Sequence, residues 1–133
     1  MGRAQRPARH PMQTISLKNK THPLPSPLEA GFCDSFACRL RGLMGRRDLE
    51  HDHGLLLVES RDSRIDTSIH MFFVYMDLAV IWINSQNIVV DIVLAKAWKP
   101  FYAPHLPARY TLEIHPDRLN EFSVGDLVEF THE

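Results

Sequence analysis

Apolar and polar residues alternate from the first patterned segment of the chain. Ile15 and Leu17 sit between polar neighbours and predict a short strand. Leu28, Ala30 and Phe32 alternate with Glu29, Gly31 and Cys33 and predict a second. The period then changes. Phe36, Leu40, Leu43 and Met44 share one helical face, which predicts a helix near residues 35–44 with Arg39 and Arg41 directed away from the core. Asp34 is the expected N-cap and Gly45 the expected left-handed stop. Leu55 to Val58 is all apolar and reads as a central strand, followed by a charged loop from Arg61 to Asp66. Ile69 to Val74 reads as another strand. Leu78 to Ile83 and Ile88 to Leu94 read as a hairpin, because Asn84-Ser85-Gln86-Asn87 between them are turn formers. Tyr110, Leu112 and Ile114 alternate with Arg109, Thr111 and Glu113 as in a half-buried strand. Pro116 can open a short helix with Leu119 and Phe122 inward, and Gly125-Asp126 turns the chain into a last strand, Leu127 to Phe130.

Many short strands with one or two short helices define a mainly-β fold: a small single-domain β-sandwich, jelly-roll-like form or barrel. The 133 residues suit one domain. Residues 1–11 lack periodicity and are expected to be a basic flexible tail, leaving 12–133 as the domain. Both Met1 and Met12 are open as starts. Two loops stand out. Thr21 to Pro27 holds three prolines, and Ala97 to Pro107 carries Trp98, Phe101 and Tyr102, a loop that needs apolar cover.

Net charge is −1, so no overall excess points to nucleic acid, and no specific nucleic-acid binding is expected. No apolar run approaches the ~20 residues of a membrane-spanning helix. The basic N-terminus lacks the apolar stretch of a secretory signal, and a cytoplasmic location is the default expectation. In a reducing cytoplasm the two cysteines, Cys33 and Cys38, are expected to be free thiols, ending a strand and lying one turn into the helix. Their spacing is neither a redox CxxC nor half of a zinc site with a visible partner pair.

Phosphate cradles and the Gly-x-Ser-x-Gly nucleophile context are absent. His51-Asp52-His53 could place two imidazoles on one strand face, but the segment reads as a solvated turn; no metal and no cofactor is expected. His70 interrupts an apolar run, so it needs a polar partner or a cleft. Arg46, just past the helix, can donate to helix carbonyls or hold an anion.

With Arg41-Gly42-Leu43-Met44-x-Arg46, Gly54-Leu55-Leu56, Ile69-His70, the hairpin strands, Leu112-Glu113 and Gly125-Asp126 in this order, the chain resembles the domain of unknown function 192 family, also called uncharacterised protein family 0127. The resemblance covers about residues 13–130 and implies a small mainly-β domain of jelly-roll or sandwich type, with no established reaction. The chain departs from one family form, Trp-Met-Lys-Asn-Thr followed by Pro-Leu-Asp. His70-Met71 stands at the Trp-Met position, Phe72, Phe73 and Val74 at Lys-Asn-Thr, Asp77 at the proline and Ala79 at the aspartate. It follows another form at Ile69-His70.

The leading functional expectation is a non-catalytic binding or accessory domain. Its cleft lies near Arg46 and His70, with Arg41, Trp98 and Tyr102 as further binding residues, for a small polar or anionic ligand or a partner segment. The alternatives are a hydrolase or lyase with His70 as general base and an acid such as Asp77, and a purely structural protein-interaction domain. On a strand, residues 70 and 77 face opposite sides unless the chain bends between them.

Overall fold

The computed structural model describes residues 12–133; the expected basic tail, 1–11, lies outside them. Seven strands form one mixed sheet: β1 (Thr14–Asn19), β2 (Glu29–Cys33), β3 (His53–Ser63), β4 (Leu78–Ile83), β5 (Val89–Ala95), β6 (Ala108–Ile114) and β7 (Val128–His132). Their order is β5-β4-β6-β3-β2-β1-β7, which puts β3 at the centre as its unbroken apolar run predicts. Only β2 and β3 pair in parallel; every other neighbour is antiparallel. A parallel pair needs a crossover, and here residues 34–52 supply it, carrying helix α1 (Phe36–Arg41). The edge strands meet at one end through backbone bonds Val89 N–H to Asp126 O (2.9 Å), Gly125 N–H to Val89 O (2.8 Å) and Val128 N–H to Asn87 O (2.9 Å). The sheet therefore curls on itself in a barrel-like way.

The curl gives the sheet an inner and an outer face, and both are buried. Ile15, Leu17, Leu56, Ile81, Leu112, Ile114 and Val128 fill the inner face, together with Phe122, which follows the short 3-10 helix Pro116–Glu121. Leu55, Leu57, Leu78, Val80 and Trp82 belong to the outer face, covered by Leu43, Met71 and Val74 from the connecting loops. Trp82 donates its indole N–H to Thr67 O at 2.8 Å, which satisfies its one polar atom inside that layer. Arg118 has no exposed surface at all. Its guanidinium donates to Ser26 O (2.8 Å), Pro27 O (2.9 Å), His51 O (3.1 Å) and Glu121 Oε1 (2.9 Å), tying the proline-rich loop to the far end of the sheet.

Five local expectations are corrected. Helix α1 is shorter than expected: Ser35, not Asp34, caps it by accepting from Cys38 N–H, and Gly42, at φ 48°, ends it before Gly45. Its apolar face is not core, because Phe36 and Leu40 are 73 % and 60 % exposed. The segment Ile69–Val74 is not a strand. Only Ile69 bridges, to Tyr102, and the chain then turns through Phe73 at φ 60° so that Met71 and Val74 cover the outer face. Strand β3 runs on to Ser63 into the stretch read as a charged loop. The cysteines are not free thiols: Cys33 ends β2, Cys38 lies in α1, and they form a disulfide across a Cα–Cα distance of 5.6 Å, well inside bonding reach.

Candidate functional site

The crossover places α1 and residues 42–44 over the outer face of β3 and β6, opposite the segment 66–74. A cavity of about 430 Å³ lies between them. Its walls include Arg39 and Arg41 from the helix and Ser68 and His70 from the facing segment, and its sheet residues include Glu59, Thr111 and Glu113.

Glu113 is the unusual group. On β6 it is flanked across the ladders by Leu55 of β3 and Val80 of β4. It is 5 % exposed, and its Oε1 has no hydrogen-bond partner. Burial disfavours the charged form and pushes its carboxyl up to about 7. Gly42 leaves the space beside it: a Cβ there would lie 3.7 Å from Oε1. Glu59 differs because Arg39 Nε contacts its Oε1 at 2.9 Å, while the same guanidinium donates to Val58 O and Asp34 O. Desolvation still raises the Glu59 carboxyl against the pull of Arg39, with Asp66 adding to the rise.

His70 accepts from Phe72 N–H at Nδ1 (3.2 Å). A backbone amide can only donate, so this bond assigns the neutral ring a proton on Nε2 and engages the lone pair that a general base would use at Nδ1. Asp77 is not beside it in the cavity. It accepts from Ala97 N–H (2.9 Å) and Lys96 Nζ (3.3 Å), the backbone bond being the main reason its carboxyl is lowered.

The candidates named from sequence divide. Arg41 and His70 line the cavity; Arg46, Trp98 and Tyr102 do not. Arg46 takes part through its backbone, donating to Leu43 O and accepting from Tyr75 N–H. Tyr102 bridges to Ile69, and its hydroxyl accepts from Lys96 N–H at 2.8 Å. Trp98 packs against Phe73 and Tyr75. His51 pairs with Asp52, and His53 with Glu50 and Glu29. No group of three or more His, Cys, Asp or Glu side chains is arranged to hold a metal ion among the described residues. Sequence reasoning passed over Glu113, because alternation in β6 marks it as the solvent side. The sequence alone carries no signal against that reading, because it is the sheet order that sets β6 between β3 and β4, both buried on either face around their centres.

These features define a small mainly-β domain in which, among the described residues, Glu113 is buried with its Oε1 unpartnered in a cavity under a disulfide-anchored helix. The chain belongs to the DUF192 family, described as an uncharacterized ACR, whose model matches residues 16–130. It is 39 % identical over 100 residues to a UPF0127 protein of Thermococcus kodakarensis, covering 74 % of this chain and 62 % of that one. It is 35 % identical over 105 residues to a UPF0127 protein of Pyrococcus furiosus, covering 77 % and 87 %. The chain thus spans about three-fifths of the Thermococcus protein. Two crystal structures share the fold. One is a protein from Sinorhizobium meliloti described as a candidate transcription regulator (TM-score 0.75, 22 % identity, 89 % and 92 % coverage). The other is a protein of unknown function from Novosphingobium aromaticivorans (TM-score 0.73, 20 % identity, 95 % and 94 % coverage). No helix among the described residues is long and apolar enough to cross a membrane.

Proposed function

We propose that the domain binds a small polar molecule in the cavity above Glu113, without catalysing its reaction. The observation that carries this reading is the buried Glu113 Oε1 without a partner in a cavity of about 430 Å³. A buried polar atom left unpaired costs about 1–3 kcal/mol, and a ligand group that pairs with it recovers that cost. Neutral Glu113 offers an acid hydroxyl as well as acceptors. His70 Nε2–H and the Arg41 guanidinium add donors at the wall, while Arg39 is already held by Glu59. This donor set favours a ligand with two or more acceptor oxygens, such as a small carboxylic acid or a polyol.

The hydrolase or lyase reading is weaker. His70 spends Nδ1 on Phe72 N–H, and its expected acidic partner, Asp77, is engaged elsewhere. The test is a thermal-shift titration with acetate, succinate, glycerol and glucose at pH 6, repeated on Glu113→Gln and Arg41→Gln. At least one of these should raise the midpoint of the wild type, and Glu113→Gln should reduce the rise. Shifts that are absent for all four, or identical in the variants, would remove the cavity as the binding site.

A further inference from the structure

A second surface lies on the other side of the segment 70–75, where backbone bonds knit three loops together. Gly45 N–H donates to Phe73 O (2.7 Å), Tyr75 N–H to Arg46 O (3.3 Å), Trp98 N–H to Met71 O (2.9 Å) and Met71 N–H to Lys99 O (3.0 Å). Phe73, Tyr75 and Trp98 project from this frame, 52 %, 40 % and 44 % exposed. Phe73 and Trp98 hold φ of 60° and 66°. Bulky residues rarely adopt that region, because the Cβ crowds the carbonyl. Two strained residues that are also exposed aromatics set strain beside unburied apolar area, and folding alone rewards neither. Strain of this kind clusters where a protein engages something else.

The charge around the rings bears on the chemistry of a partner. The Arg47 guanidinium lies 4.4 Å from the Tyr75 ring centre, and the Lys99 ammonium 5.0 Å from that of Tyr102. Neither these nor Arg46 is in an ion pair with a carboxylate among the described residues. The sequence from residue 12 onward has twelve Lys and Arg against sixteen Asp and Glu, so this basic rim is local on an acidic body. The rings do not form a stacking platform for bases. Trp98 meets Tyr75 edge-on at 81° and Phe73 at 60°, and one Tyr75 face is taken by Arg47. Aromatic tips surrounded by unpaired cations suit an apolar phase behind a negatively charged surface.

We propose that the Phe73–Tyr75–Trp98 cluster, with Arg46, Arg47 and Lys99 at its rim, docks the domain peripherally on an anionic lipid bilayer. The rings enter the headgroup boundary and the cations meet lipid phosphates.

Trp98 is its own reporter, because Trp82 is already buried. The full chain is mixed with vesicles of phosphatidylcholine containing about a third phosphatidylglycerol, and with phosphatidylcholine vesicles alone. Pelleting and tryptophan emission are both read. The wild type should pellet with the anionic vesicles, with emission moving to shorter wavelength, and should be released at about 0.5 M salt. Arg46→Gln and Arg47→Gln should each weaken binding about fivefold. Phe73→Asn should weaken it further; asparagine tolerates the positive φ, so the variant should keep its fold by near-ultraviolet circular dichroism. Failure to pellet, equal pelleting on neutral vesicles, or variants that bind like the wild type would overturn the proposal. So would an emission shift produced by oligothymidine and not by vesicles.

Discussion

Replacing Glu113 by glutamine should change how stability depends on pH. The unfolded carboxyl has the ordinary pKa of 4.5, and burial pushes the folded one up to about 7. A raised folded pKa means the native state holds its proton more tightly than the unfolded chain. The associated stability is complete below pH 4.5 and is lost as pH rises through 7. Linkage over that interval gives a loss of about 2.5 kcal/mol between pH 5 and pH 8. Glutamine has the same shape and cannot ionise. The variant should therefore be close to wild type at pH 5 and gain about 2.5 kcal/mol on it by pH 8. Urea unfolding of both proteins at intervals across this range measures the difference directly. Every other ionisable group is common to the two proteins and cancels in the subtraction. A difference that stays constant from pH 5 to pH 8 would refute the argument that Glu113 is dry and unpaired.

Arg118→Met should destabilise by about 3–5 kcal/mol, because Glu121 and three carbonyls lose their buried donor; chemical denaturation reads this. Gly54→Ala places a Cβ 2.6 Å from Glu113 O and 2.7 Å from Ile114 Cγ2, so it should force β3 and β6 apart at a cost of about 1–3 kcal/mol. A thermal midpoint equal to wild type would contradict that packing. The purified protein should lose two hydrogens of mass relative to its reduced form. Reducing Cys33–Cys38 should cost about 2 kcal/mol, since the closed loop is short.

The sequence pattern was most legible where one local rule decides the structure. Alternation located β1, β2 and β6, and the four turn formers at 84–87 located the β4–β5 hairpin. Legibility failed where the covering layer decides. Ile69–Val74 is apolar because it roofs the outer face, and a roof and a strand have the same composition. Phe36 and Leu40 have helical spacing yet stay exposed at the wall of the cavity instead of joining the core, because a helix this short is positioned by its disulfide and crossover rather than by an apolar stripe. For the site, Arg41 and His70 were legible as polar residues in unusual company. Glu113 was not, since its burial depends on segments 42–44 and 66–74 lying over it.

The pairing of β1 with β7 has a kinetic consequence. Residues 14–19 find their outer partner only at residues 128–132, so this ladder closes over nearly the whole chain. Contacts of such separation make the search for the native state slow, typically milliseconds to seconds, about a thousandfold longer than for helical bundles. During synthesis, β2 and the four strands after it can emerge and pair while β1 still has one bare edge. The layers that enclose Glu113 are then complete in sequence before the barrel-like curl can shut, and β7 acts as the latch, added last.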